Sequence, residues 1–227
     1  MFFDPLYLVV ALPAMLLGLY AQSRVSSNFN KFAKVATMRN MTGAEVARSI
    51  LDAFGLYDVK VEGTRGRLTD HYDPRSKTLR LSESTYSSPS VAAAGIAAHE
   101  AGHALQHAQG YAPLSIRSAM VPAVQFGTGI GPYLFIGGLL TNLTGLAWLG
   151  VILYAGATVF ALVTLPVEFD ASKRAKQLLT RENILSSQEM GGVNKVLNAA
   201  ALTYVAAAIQ SLGTLLYFVL RLSGSRD

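Results

Sequence analysis

The chain has 227 residues, of which 51% are hydrophobic and only 15% charged, a balance that excludes an ordinary soluble domain and suits a membrane protein. Nineteen Lys and Arg against 14 Asp and Glu give +5, and no basic run carries interleaved aromatics, so the surplus speaks for an anionic leaflet as neighbour and not for nucleic acid. The absence of cysteine removes disulfides, thiolate ligands and cysteine nucleophiles, and leaves any metal to be held by nitrogen and oxygen.

In chain order, Leu6 to Ala21 is apolar and free of charge, and with its flanks (5–22) it approaches the length of a membrane span. A cleaved secretory signal would want a positive start, whereas MFFDP has none and carries Asp4, so the stretch reads as a retained anchor with Pro13 inside it. A polar segment (23–118) follows. Thr42-Gly43-Ala44-Glu45 has the spacing of a capping box, and Val46, Ile50 and Phe54 recur every four residues before Gly55, which predicts a short amphipathic helix. Val59 to Val61 and Leu79 to Leu81 alternate like strands, and Asp73-Pro74-Arg75 supplies a turn before the second, so a small hairpin or sheet is expected. Thr78 to Ser82 is a candidate edge strand for pairing with an extended substrate, against the alternative of a purely structural strand.

Ser90 to Gly110 reads as a helix, with Ser87 or Ser88 as N-cap, Pro89 in the first turn and Gly110 just past the end. Its centre is His99-Glu100-Ala101-Gly102-His103. Residues four apart share a helix face with about 6 Å of axial rise, so both imidazoles can reach one ion. Glu100, one position round from His99, can then deprotonate a water and later protonate a leaving amine. The rival reading is a solvated face that happens to carry two histidines, but the surrounding Ala93, Ala94, Ala97, Ala98, Ala101 and Ala104 make a close-packing helix in which unpartnered polar groups are costly. His107 lies about 12 Å along the axis from His99, too far to share a tetrahedral ion, and reads as a residue behind the site or on the surface. A motif extended to a third histidine fails as well, because Gln106 and Gln109 occupy its glycine and histidine positions. His71 could complete the site or face an oxyanion, though a turn histidine flanked by aspartates is more often solvated.

Residues 120–140 and 143–165 are long uncharged runs separated by Thr141-Asn142, and read as a transmembrane hairpin. Gly127, Gly129, Gly131, Gly137 and Gly138 allow close helix approach there; a buried soluble helical pair is the alternative. A fourth span is expected at 197–222. Between spans three and four, residues 166–196 hold Lys173, Arg174, Lys176, Arg181 and Lys195, whereas the turn at Thr141 to Thr144 and the N-terminus hold no basic residue. The positive-inside rule therefore puts 23–118 and 166–196 together in the cytoplasm. In the second of these, Pro166 is expected to open a helix carrying Glu168 and Asp170, of which Glu168 is taken as third ligand over Asp170; on spacing alone a helix-dipole role for both acids is an equal rival.

The stretches LTDHYDP (68–74), LRLS (79–82), AHEAGHALQ (98–106) and LPVEFDAS (165–172), with the order of spans, resemble the YugP-type family of bacterial membrane zinc metallopeptidases along essentially the whole chain. The resemblance implies a neutral zinc peptidase in the cytoplasmic membrane and adds weight to Glu168 as a ligand. More distantly the arrangement is similar to membrane peptidases of the HtpX type, in which a later E-x-x-x-D helix supplies a glutamate ligand and an aspartate one turn on. Glu168 fits the first position, but Ser172 stands at the second, with Asp170 as a possible substitute.

The expectation is a mainly α, four-span membrane protein forming one metallopeptidase domain over 1–227, with a zincin-like HExxH helix of gluzincin type and a small cytoplasmic β element. His99, His103 and Glu168 hold Zn²⁺, Glu100 is the general base, and His71, Tyr72 and Tyr204 are candidates for the oxyanion donor. The expected substrate is a protein or peptide at or in the membrane of the cell. Cleavage within the bilayer is one rival, and a non-catalytic zinc-stabilised scaffold or chaperone is another; an intact Glu100 argues against the second, since a structural site needs no base.

Overall fold

The computed structural model describes residues 4–224. In chain order they form α1 (Pro5–Phe32), α2 (Gly43–Ala53), β1 (Lys60–Thr64), β2 (His71–Asp73), β3 (Thr78–Ser82), α3 (Glu83–Tyr86), α4 (Val91–Ala108), α5 (Ala112–Leu140), α6 (Thr144–Arg181) and α7 (Ser187–Ser223). The mainly helical class expected from composition is the one observed. Helices α1, α5, α6 and α7 are each long and apolar enough to cross a membrane, in agreement with four spans. All four run past the apolar stretches that announce them. Pro166 does not open a helix: it lies inside α6, where its fixed φ is compatible with a helical turn and only one backbone bond is forfeited.

The chain divides into two compact units. One is drawn from residues up to Ala21, from Ser115–Pro166 and from Thr203 onward; the other comprises Gln22–Leu114 and Val167–Leu202. In the first, Phe135, Ala147, Val151, Tyr217, Phe218 and Leu222 are buried together, and the rings of Phe135 and Phe218 stack with centroids 4.0 Å apart. A Cβ placed on Gly127 would lie 2.8 Å from the Leu153 carbonyl oxygen, one on Gly131 3.1 Å from the Gly150 carbonyl oxygen and one on Gly138 2.3 Å from the Ala147 amide nitrogen, so three of the five expected glycines do bring α5 against α6. Gly129 and Gly137 meet nothing.

The second unit is built on α4, whose alanines are buried in one core with Val46, Ile50 and Leu51 of α2, Leu79 and Leu81 of β3, and Leu178 and Leu179 of α6. Helix α2 begins at the expected capping box: the Glu45 amide donates to Thr42 Oγ1, and the Thr42 amide donates to Glu45 Oε2. It ends at Phe54, followed by Gly55 at φ +69°. The sheet order is β1-β3-β2, with β1 parallel and β2 antiparallel to β3. Hence β3 is the central strand and not an edge, and its backbone has no free side to offer a substrate. The cause is burial: Leu79, Leu81, Thr78 and Ser82 are all enclosed, and a strand covered on both faces belongs in the middle. Asp70 fixes its end by accepting from the Ser82 amide at 2.8 Å.

Helix α4 starts two to three residues later than an N-cap at Ser87 or Ser88 would place it. Ser90 is the N-cap, its Oγ accepting from the Ala93 amide, while Pro89 precedes the helix. At the other end Gly110 takes φ +63°, the Gly110 amide donates to the His107 carbonyl and the Tyr111 amide to that of Gln106. These are the paired bonds of a Schellman stop, so the expected terminating glycine is in place.

Candidate metal centre

Helix α4 carries His99 and His103 one turn apart, with ring centroids 4.8 Å apart and planes nearly perpendicular. Against them packs α6. Gly102 makes this possible, because a Cβ there would sit 2.9 Å from the Ala171 carbonyl oxygen and 3.4 Å from its Cα. With the two backbones this close, Glu168 reaches both rings: its Oε2 lies 3.2 Å from His99 Nε2 and 3.7 Å from His103 Nε2. Each of the three residues offers one ligand atom, and these atoms all lie within 4.8 Å of one another. Two imidazole nitrogens and a carboxylate oxygen are the donor set of a catalytic zinc site that keeps a position open. Asp170 and His71, the other candidates for third ligand, are not in the group. His71 is exposed on β2, with its Nδ1 2.8 Å from the Thr69 carbonyl oxygen.

The opposite edge of each ring is also held. His99 Nδ1 is 3.2 Å from Ser172 Oγ, and His103 Nδ1 is 2.9 Å from Gln106 Oε1. Ser172 thus stands where an aspartate was sought and does contact a ligand histidine, though through a hydroxyl. Asp170 faces elsewhere, accepting from Gln106 Nε2 at 2.8 Å and from Arg174 Nε. Gln106 was visible in the sequence only as a departure from a longer motif. A long polar side chain three residues after a candidate ligand, in an otherwise alanine-rich helix, was the signal that it had a partner.

Burial lowers the pKa of His103, but the facing Glu168 carboxylate and the charge of Glu100 outweigh it and raise the value overall. The field at this point favours a positive charge, whether proton or metal cation. Glu100 is 8% exposed, and its carboxylate accepts no hydrogen bond from a described residue. Farther along α4, His107 is half-buried and its Nδ1 lies 2.9 Å from the Tyr72 hydroxyl. Burial, then the charges of Asp58 and Asp73, push that phenol up to about 12, so it stays protonated at neutral pH. Tyr204 lies on α7.

Comparison with known proteins agrees with this chemistry. The model of a family described as "Putative neutral zinc metallopeptidase" matches residues 7–223. The protein named "Putative membrane protease YugP" of Bacillus subtilis (strain 168) is 50% identical over 222 residues, which cover 98% of this chain and 99% of that protein. No solved structure matches the chain. A family model that takes in both the HExxH helix and the Glu168 helix, together with identity of this extent, places the chain in the neutral zinc metallopeptidase family.

Proposed function

We propose that this protein is a multi-pass membrane zinc endopeptidase of the HExxH, gluzincin-like type, acting on proteins in or beside the membrane with Glu100 as general base. The observation that supports it most is the convergence of His99 Nε2, His103 Nε2 and the Glu168 carboxylate, with a carboxylate that accepts no hydrogen bond from a described residue next in the chain to the first histidine. When bound, zinc supplies Lewis-acid polarisation of a peptide carbonyl and makes water acidic enough to lose a proton near neutrality.

The protein's own groups supply the rest. His99, His103 and Glu168 form the nitrogen and oxygen set that would hold the metal. Glu100 takes the proton of the attacking water and delivers it to the amine as the peptide bond breaks. Ser172 and Gln106 hold the ligand rings in register. On topology, spans at 5–22, 120–140, 143–165 and 197–222 would leave 23–118 and 166–196 in the cytoplasm, because both carry the basic residues. A site tethered to a membrane meets membrane proteins at high effective concentration, which favours them as substrates.

The test is Glu100→Gln in the purified full-length protein, assayed for zinc content and for proteolysis of casein. Zinc should be retained and hydrolysis should fall by several orders of magnitude, about 10²-fold at the least. Undiminished hydrolysis would remove Glu100 from the mechanism, and zinc binding without hydrolysis in the unaltered protein would favour a scaffold. Reporter fusions after Lys34 and after Lys176 should both signal the cytoplasm; an outside signal at either would overturn the orientation.

A further inference from the structure

Gln106 is fully buried and makes three polar contacts, all of them to the machinery of the centre. Its Nε2 donates to the Val167 carbonyl oxygen at 2.9 Å and to Asp170 Oδ2 at 2.8 Å. Both partners are acceptors only, so the amide nitrogen must face them and Oε1 must face His103. An amide oxygen cannot donate. The 2.9 Å contact to His103 Nδ1 therefore requires a proton on Nδ1, which leaves Nε2 as the ring nitrogen that faces Glu168, 3.7 Å away, and that would take the metal. Asp170 is itself held from the far side by Arg174, whose Nη1 also donates to Gln109 Oε1.

The corresponding edge of His99 is held less specifically: its Nδ1 faces the Ser172 hydroxyl, which can donate or accept. We propose that Gln106 is a positioning residue that keeps a proton on Nδ1 of His103, and so reserves its Nε2 for the metal, through an Arg174, Asp170, Gln106 chain of hydrogen bonds. The inference rests on the metal-site reading above. It assigns a role to three polar residues outside the candidate ligand set, and it accounts for a fully buried glutamine in an alanine-rich helix.

The decisive measurement is the ¹⁵N spectrum of the histidine side chains in the metal-free, full-length protein in detergent micelles, with His103 identified by its loss in His103→Ala. A proton on Nδ1 of His103, alone or together with one on Nε2, is expected, and a ring protonated on Nε2 alone overturns the proposal while leaving the peptidase reading intact. Zinc affinity, measured by chelator competition, supplies the second arm. Gln106→Met keeps the volume but removes both functions of the amide, and should weaken zinc binding about 10–100-fold with a mixed tautomer at His103. Unchanged affinity in a folded Gln106→Met overturns the role. No zinc binding by the unaltered protein would instead overturn the metal-site reading beneath it.

Discussion

The two compact units solve the packing problem in opposite solvents. In the unit containing Phe135 and Tyr217, large apolar side chains such as Val9, Leu16, Leu140 and Ile152 face outward, and the close contacts between helices are made by glycine against backbone. With hydrocarbon outside there is little to gain from burying leucine, so close backbone approach does the associating. In the unit containing α4, Val46, Ile50, Leu79 and Leu81 are completely enclosed and the charged residues other than Glu100 and Glu168 are at least partly exposed, as expected where water drives apolar surface inward. Both units use glycine to bring helices together, but to different ends. Gly127 and Gly138 join two apolar helices; Gly102 joins the helix of His99 and His103 to the helix of Glu168. Small residues in the first are glue, and in the second they set the dimensions of the candidate metal centre.

The comparison is broken most severely by removing the ligand that Gly102 brings into reach. Glu168→Gln should lower zinc affinity by a factor of about 100 or more, because the carboxylate charge is lost from a closed donor set, whereas Asp170→Asn should lower it about tenfold at most. Metal analysis of the purified proteins checks this, and full occupancy with unchanged affinity in Glu168→Gln would end the ligand assignment. Gly102→Ala comes next. Its methyl group meets the Ala171 carbonyl at 2.9 Å, so α4 must shift from α6 at a cost of about 1–3 kcal/mol, and zinc should bind more weakly. Gly129→Ala meets nothing and should be neutral or slightly stabilising. Equal thermal midpoints for the two variants would contradict the close-approach argument.

A smaller effect tests the water-facing unit alone. Thr42→Ala removes the side-chain acceptor at the start of α2 and should cost about 1 kcal/mol by thermal unfolding, with zinc affinity unchanged. The smallest effect is an acid limb. Hydrogen bonds from the Thr42 backbone, the Lys77 ammonium and the Ser76 hydroxyl hold the carboxyls of Glu45, Asp58 and Asp73 below their ordinary values of 4.5, 3.8 and 3.8. Depressed pKa values mean stability that is present above those ordinary values and lost as pH falls through the lower, folded ones. All three belong to the unit with α4, while Trp148, the single tryptophan, belongs to the other. On acidification below about pH 4.5, pepsin cleavage between residues 23 and 114 should appear before Trp148 emission changes. The reverse order would show that the units do not differ in this way.

Much of this was legible because it is local. The capping box at Thr42, the left-handed glycines at 55 and 110, the four-residue spacing of His99 and His103 and the four apolar runs depend only on neighbours in the chain. A second signal of the same kind, Ser186 and Glu189 exchanging hydrogen bonds at the start of α7, was present in the sequence as S-x-x-E and went unread. Helix ends were less legible. Pro166 looked like a beginning because proline favours first turns, and nothing in its neighbours reveals that an apolar helix will run through it.

The sequence by itself determined the membrane character, the HExxH helix and the set of acids from which a third ligand had to come, since hydropathy and helical periodicity are properties of contiguous residues. Only the tertiary structure decided that β3 is central, that Glu168 and not Asp170 faces the histidines, and that Ser172 and Gln106 hold their rings. Glu168 is 69 residues from His99, and which of its helix's side chains arrives there is set by how closely α4 and α6 pack. That distance depends on a missing Cβ at Gly102 meeting the backbone at Ala171, a contact between segments whose separation in the chain carries no record of it.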